Sequence, residues 1–441
     1  DQALAQAGDR DASIHAVGTS TFWHALLGLD AQGEPLTPIY NWSDTRSAPA
    51  ARRLRKDLDV EAVHARTGCV IHPSYYPAKL VWLRDTHPQI FARVARWVSP
   101  GEYLFSRLLG PDACRVSVSM ASGTGLLNQQ QCRWDTQTLE AIGLPLEKLS
   151  PLIDLKTAFS GLQGDYARRW PALREVPFFP AAGDGACGNM GSGCVSPQRM
   201  AINLGTSGAI RVLWEEDPQA PLTPPPGLWR YRVDARRPLM GAAFSDGGGD
   251  YAWMLRTLQL PPAEELEQQL TRMEPGAHDL IFLPFLAGER SPGWNPDAHA
   301  ALTGMNLDTR PIDILAAALE AVALQFAQAA QQLAALFPQA RQIVASGGAL
   351  GHSPAWAQMF ADAIGQPVTL AAEPEASARG AALLALESSG QISSAGEVEA
   401  RLGRVFTPDP SRHARYLDLL ARQQRLYAQL QAATHSTVSE S

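Results

Sequence analysis

Met200-Ala201-Ile202-Asn203-Leu204-Gly205-Thr206-Ser207-Gly208-Ala209-Ile210-Arg211-Val212-Leu213-Trp214 lies near the middle of a chain of 441 residues. Its first five residues form a short, mostly apolar run and read as a strand. Gly205-Thr206-Ser207-Gly208 punctuates the run as a turn, and 209–214 reads as a second strand. Working outward toward the C-terminus, a Pro-rich loop covers 218–226 and a long helix 311–337. A strand at 342–346, a turn at Gly347-Gly348 and a helix over 353–364 follow. Gly380-Ala381-Ala382 falls in a final helix of small residues. Toward the N-terminus, 13–17 reads as a strand, and 25–29 and 38–42 as the arms of a hairpin around 30–34. Helices are expected over 48–58 and around 78–83. Pro177-Phe178-Phe179-Pro180 reads as an extended piece leading into the glycine-rich 183–193. Strands thus alternate with helices on both sides of the opening stretch, which is the α/β pattern. The length fits two or three domains. The boundary is placed at Ser196-Pro197, giving domains 1–196 and 197–441.

The formal net charge is -7, with acids and bases interspersed. Surfaces that bind nucleic acid or an anionic membrane select clustered Lys and Arg, so neither is expected as the main partner. Backbone amides can still bind phosphate locally in an acidic protein. The cysteines Cys69, Cys114, Cys132, Cys187 and Cys194 form no Cys-x-x-Cys pair and have no histidine cluster beside them. They read as buried or incidental thiols of a protein in the reducing cytoplasm. The stretch 314–337 is Ala-rich and interrupted by Glu320, Gln325 and Gln328. It reads as a packed helix and not as a bilayer span.

Four glycine-centred turns each follow an apolar segment: Ala182-Gly183-Asp184-Gly185, Leu204-Gly205-Thr206-Ser207-Gly208, Asp246-Gly247-Gly248-Gly249 and Ser346-Gly347-Gly348-Ala349. Glycine lets backbone approach a phosphate closely, so that successive N–H groups converge on an anion. One such turn alone is a plain turn; four in one chain, with hydroxyls at Thr206 and Ser207, point to a nucleotide cleft. Gly183-Asp184-Gly185-Ala186-Cys187-Gly188 also matches Gly-x-Gly-x-x-Gly. That dinucleotide fingerprint needs an acid about 20 residues on, at the end of the next strand. The corresponding Asn203-Leu204-Gly205-Thr206 holds no carboxylate, so a Rossmann oxidoreductase is excluded by context.

Ile281-Phe282-Leu283-Pro284-Phe285-Leu286-Ala287-Gly288-Glu289-Arg290-Ser291-Pro292-Gly293-Trp294-Asn295-Pro296, with Gly304-Met305 beyond, resembles the C-terminal signature of the FGGY carbohydrate kinases. Ala345-Ser346-Gly347-Gly348-Ala349, Trp356-Ala357-Gln358 and Ala361-Asp362 resemble that family's adenosine-binding segment. Leu204 to Gly208 looks like its second phosphate motif, and Trp42-Ser43-Asp44-Thr45-Arg46 like its Trp-x-Asp-x-Arg hairpin end. The resemblance spans nearly the whole chain. It implies two actin- or hexokinase-like, ribonuclease H-like domains closing over a cleft, with sugar on the first domain and ATP mostly on the second. It implies Asp184 as catalytic base and as a ligand of Mg²⁺. Gly205, Thr206 and Ser207 would cradle the phosphates, and Gly248 and Gly348 would flank the adenosine. Trp23, His24, Asp44 and Arg46 would contact the sugar. These residue types suit phosphoryl transfer, which needs an acceptor held in line, a metal and a base within reach.

Structural readings compete at several positions. Asp184 at a helix start can be an N-cap, Arg46 can simply pair with Asp44, and Trp253 and Trp356 read as core. Glu289-Arg290 reads as organising its loop more than touching substrate. A non-catalytic sugar sensor of the same fold is the rival class, but it would lack the base or the phosphate hydroxyls, all of which are present. A homodimer is compatible with the resemblance. Ser20-Thr21-Phe22-Trp23-His24, Trp42 to Ser47 and Gly68-Cys69-Val70-Ile71-His72-Pro73 look most like the gluconate kinase branch. D-gluconate is therefore the expected acceptor, with xylulose or a related pentulose or polyol as the alternative. A sugar acid needs a cationic pocket, for which His24, His72, Lys79 and Arg46 are the candidates. The chain opens Asp1-Gln2-Ala3-Leu4, as if inside a helix, and no Asp-x-Gly-Thr-Thr type phosphate motif lies upstream of Ser13. The resemblance therefore implies that an N-terminal segment carrying that motif and the first strands is missing, and that the chain as written is poorly soluble or nearly inactive.

Overall fold

The computed structural model describes residues 1–8 and 14–438. Strands Arg199–Leu204 and Gly208–Leu213 pair antiparallel, with Leu204 opposite Gly208 and Met200 opposite Val212. The opening stretch is therefore a hairpin closed by Gly205-Thr206-Ser207. It lies inside a seven-stranded sheet, in the order Trp229–Arg232, Pro238–Phe244, Gly208–Leu213, Arg199–Leu204, Gln342–Ser346, Val368–Ala371, Leu402–Phe406. The first three neighbouring pairs are antiparallel, the next two parallel and the last antiparallel. This meander continued by parallel strands is the ribonuclease H-like arrangement expected from the resemblance.

The period of two along these strands sends alternate side chains to two different cores. Met200, Ile202, Leu204, Ile210, Val212, Met240, Ala242 and Phe244 pack with the helix Pro311–Leu336. Leu213, Trp229, Tyr231, Leu239 and Ala243 pack instead with Trp23, Tyr75 and Cys187 of the first half. Pro311–Leu336 is long and apolar enough to cross a membrane, but 89% of its apolar window is buried within the fold, so it is a core helix.

Among the described residues, the first half holds only two-stranded pieces. The short parallel pair Ser20–Thr21 with Ala182–Gly183 leads into the helix Asp184–Gly191. That helix crosses Ala376–Ser388 at backbone contact. A Cβ on Gly191 would lie 1.7 Å from the Ala376 carbonyl oxygen, and one on Gly380 would lie 1.8 Å from that of Cys187. The halves are also tied by Arg230 N–H donating to the Gly68 carbonyl (2.9 Å) and by the Tyr75 and Tyr231 hydroxyls at 2.6 Å.

The helices read at 48–58, 78–83 and 353–364 are present as Ala48–Asp57, Tyr76–Thr86 and Pro354–Ile364. Three expectations need correction. Ser13 lies outside the described residues, 14–16 carry no regular structure, and Val17 makes one parallel bridge to Phe178. The pairing edge offered by the Phe178–Gly183 segment meets the chain from Val17 onward, so the strand forms at Ser20–Thr21. The hairpin of 25–29 with 38–42 is reduced to single bridges, Leu26 to Tyr40 and Leu29 to Pro35. Leu27–Leu29 pairs mainly with the distant Arg96–Val98, which period and turn chemistry could not reveal. Trp356 is core, but Trp253 is exposed on the helix Gly248–Thr257.

Candidate active site

The two halves enclose a cavity of about 100 Å³ lined by both. Trp23, His24, Trp42 and Asp184 come from the first half. Ser207, Gly208, Ala209, Arg211, Trp229, Tyr231 and Arg290 come from the second.

Asp184 opens its helix, and its Oδ1 accepts from the Gly185 N–H at 2.8 Å. Its side chain touches solvent, yet protein surrounds it closely, because it forms the floor of a cleft. That enclosure raises its pKa, while the charge of Arg211 and the N–H groups of Gly185 and Trp23 pull it back down. The glycines beside it serve packing. A Cβ on Gly183 would lie 1.9 Å from Trp23 Cε2, and one on Gly185 would lie 2.6 Å from Trp23 Cζ3. The Gly-x-Gly pattern therefore admits an indole beneath the carboxylate. Trp23 is buried there, with its Nε1–H donating to the Ser119 carbonyl at 2.9 Å.

His24 adopts φ 65° and is buried. Its Nδ1–H donates to the Gly123 carbonyl at 2.5 Å. Burial, and then the charge of Arg290, hold its pKa well below the ordinary histidine value. The ring is thus neutral, and its Nε2 is left as an acceptor for a hydroxyl.

The phosphate-type turns converge. Gly248 N–H donates to the Gly205 carbonyl (2.8 Å) and Gly249 N–H to that of Thr206 (2.9 Å). A Cβ on Gly248 would lie 2.6 Å from the Gly205 oxygen and 3.2 Å from the Ala349 Cβ. Gly347, at φ 97°, lies against Leu204, and Gly348 begins the short helix Gly348–His352. Gly205, Gly248 and Gly348 are thus neighbours. Thr206 is exposed, Ser207 faces the cavity, and a Cβ on Gly205 would meet open space.

Asp44 and Arg46 stand apart from the cavity lining. The Arg46 guanidinium donates twice to Asp44, at 2.9 and 2.5 Å, and rests over Tyr40 and Trp82. Of that motif, Trp42 reaches the cavity, stacked under Arg290 at 5.2 Å. The cationic pocket expected from His24, His72, Lys79 and Arg46 does not assemble. His24 and His72 are held neutral by burial and neighbouring cations. Lys79 is wholly buried, donating to the carbonyls of His24 and Ser74, and burial brings its pKa down to about 7. Arg46 is engaged by Asp44.

The cations that do line the cavity are Arg211 and Arg290. Arg290 thus faces the cavity in addition to belonging to its loop, and Arg211 is a site residue that the sequence motifs do not mark. The sequence signal was there: a charge in the middle of an apolar strand just after the glycine turn. Glu289 does organise its loop, accepting from the Gly293 N–H at 2.9 Å and from the Tyr427 hydroxyl.

A cleft between two halves, floored by a carboxylate and rimmed by glycine turns with free hydroxyls, defines a phosphotransferase acting on a small polyhydroxylated molecule. The chain belongs to the FGGY family of carbohydrate kinases: the family's N-terminal domain matches residues 1–191 and its C-terminal domain residues 200–388. It is therefore a carbohydrate kinase, and kinases of this kind use ATP as phosphate donor. It is 27% identical over 409 residues to a gluconokinase of Bacillus subtilis (strain 168), covering 90% of this chain and 79% of the relative. It is 28% identical over 436 residues to a xylulose kinase of Escherichia coli (strain K12), covering 98% and 88%. A ligand-bound xylulose kinase from Lactobacillus acidophilus superposes with a TM-score of 0.87 at 25% identity, covering 96% of this chain and 86% of that one. Relatives named for different acceptors match to similar degrees, so the family sets the reaction and the acceptor is a property of the site.

Proposed function

We propose that this kinase phosphorylates a sugar acid, D-gluconate to 6-phosphogluconate, with residues 1–196 holding most of the sugar and 197–441 the nucleotide. The observation that carries the reading is one cavity in which Asp184 and the Ser207-Gly208 turn face each other. Asp184 accepts the acceptor hydroxyl's proton as that oxygen bonds the γ-phosphorus, and the bond to the bridging oxygen of ADP breaks. Trp23 fixes the floor beneath Asp184, and neutral His24 accepts from a sugar hydroxyl. Gly205, Thr206 and Ser207 donate to the phosphates, and Gly248 and Gly348 form the nucleotide wall. Closing the cleft excludes water as a competing acceptor.

The described residues contain no cluster of three or more metal ligands, and Asp184 is the only carboxylate in the cavity lining. That donor set fits Mg²⁺ brought in with the nucleotide and held by Asp184 together with the phosphates. When bound, the ion neutralises phosphate charge. Asp44 and Arg46 are proposed to act on the sugar only indirectly, by fixing the segment that presents Trp42.

Asp184→Asn is expected to lower kcat by orders of magnitude with ATP affinity retained; near-normal turnover removes Asp184 from the role of base. The xylulose kinase relatives favour a pentulose as the second reading. Comparing kcat/KM for gluconate, xylulose, ribulose and glycerol decides between them, and a clear preference for a neutral ketose overturns the gluconate reading.

A further inference from the structure

We propose that Arg211, with Arg290 as second cation, receives the carboxylate of the acceptor and makes this cavity selective for sugar acids over neutral polyols of the same length. The inference rests on the phosphoryl-transfer reading above and adds the residues that read the substrate's class.

The other buried arginines are ion-paired, and the half-buried Arg55 donates to the Ile71 and Trp294 carbonyls. Arg230 and Arg232 share Glu216, both at 2.6 Å, Arg237 binds Asp234 and Glu387, and Arg66 binds Asp135. Arg211 and Arg290 break this pattern: among the described residues neither makes an ion pair or a side-chain hydrogen bond, and the Nε of each is buried without a partner. A guanidinium does not shed its charge at physiological pH, so an enclosed, unpaired one is costly unless something supplies the anion. Both line the one cavity that also holds Asp184.

The charge of the lining points the same way. It contains two guanidiniums against one carboxylate, and its histidine is held neutral. The excess of one positive charge matches a monoanion. Asp184 and Arg211 make no direct ion pair, and the single Asp184 charge leaves one guanidinium of the lining uncompensated. Burial lowers the Arg211 pKa, and the Asp184 carboxylate is what chiefly opposes this.

The layout fits a linear acid. Ser207 marks the phosphate end, and Arg211 lies four positions further along the same wall, with Ala209 between them facing the same cavity. The Arg211 guanidinium reaches back beside the helix that Asp184 opens: a Cβ on Gly185 would lie 2.9 Å from Arg211 Nε and 3.0 Å from its Cζ. A flexible open-chain acid that curls so that one hydroxyl meets Asp184 can therefore present its carboxylate to the neighbouring guanidinium fork, which binds carboxylates through paired donors. Arg290 is held over Trp42 and Trp294, so it stays extended toward the same space.

The test compares D-gluconate with D-glucitol, which differs only in carrying a hydroxymethyl group where the acid has its carboxylate. Kinetics are run with saturating MgATP at about pH 8, well above the ordinary carboxylate range. The parent is expected to prefer gluconate, and Arg211→Gln to shrink that preference about 10- to 100-fold, mostly through KM, as for loss of a hydrogen-bonded charge pair. Arg211→Lys is expected to restore part of it. If Arg211→Gln lowers both acceptors in parallel and leaves their ratio unchanged, Arg211 only supports Asp184 and the inference falls, while the gluconate reading stands. If the parent prefers another sugar acid to gluconate and Arg211→Gln abolishes its preference for that acid over the matching polyol, the inference stands and the gluconate reading falls. A parent indifferent to the carboxylate overturns the inference. Melting curves check folding, and if Arg211→Gln does not fold, Arg290→Gln is judged by the same ratio.

Discussion

Gly183→Ala tests the claim that the glycines around Asp184 exist to admit Trp23. The added Cβ would lie 1.9 Å from Trp23 Cε2 and 2.3 Å from Nε1. Carbon atoms prefer about 3.5–4.0 Å, so the indole must retreat by about 1.5 Å or more. It has little room to do so: the backbones of Gly123 and Gly185 pack so close that a Cβ on either would lie 2.7 or 2.6 Å from its other atoms, and its N–H is tied to the Ser119 carbonyl. Overpacking costs about 1–3 kcal/mol, and loss of the indole hydrogen bond adds about 0.5–1.5 kcal/mol. The total, about 1.5–4.5 kcal/mol, lowers the melting temperature by about 3–18 °C for a domain of about 200 residues. Because Asp184 follows directly, a shift of about 1 Å in its backbone is expected to cut kcat about 10²-fold. Thermal melts and steady-state kinetics read both effects. Gly351→Ala, whose Cβ would meet nothing within 4 Å, is the stability control. Adding Trp23→Leu to Gly183→Ala should restore part of the stability. A Gly183→Ala protein that melts and turns over like the parent would refute the packing argument.

Glu216→Gln leaves the buried Arg230 and Arg232 without a carboxylate and is expected to destabilise by about 3–5 kcal/mol in urea unfolding; a change within error would mean the cluster is solvated. Asp246 is buried with Oδ1 unpartnered, and burial beside Asp250 pushes its pKa up to about 9. The folded chain therefore keeps a proton that the unfolded chain releases, and stability falls as pH rises from the ordinary carboxylate range through about 9. Asp246→Asn should raise the melting temperature most at alkaline pH and progressively less as pH falls, and a pH-independent difference would contradict this. The Asp184 pKa is raised, so the acid limb of kcat/KM should lie above the usual carboxylate range. It should move higher still in Arg211→Gln, which removes the cation that opposes the shift; an unmoved limb would assign it to another group.

The sequence by itself determined the α/β class and the opening hairpin, because strand period and glycine turns are local signals. It also located the core helix Pro311–Leu336 and marked Asp184 at a helix start and the hydroxyls of Thr206 and Ser207 in a turn. Only the tertiary structure decided what those local features meet. The glycines at 183 and 185 look like a phosphate loop in sequence, but they face an indole that arrives from more than 150 residues away in the chain. Leu27–Leu29 finds its partner at Arg96–Val98, and no turn residue encodes so distant a pairing. The cationic candidates failed for the same reason: whether a charge is free depends on its neighbours in space. Lys79 and Arg46 are engaged by carbonyls and a carboxylate that folding brings beside them. Among the described residues Arg211 and Arg290 make no ion pair, because the two halves of the fold meet around them with a single carboxylate, Asp184, that neither pairs with directly.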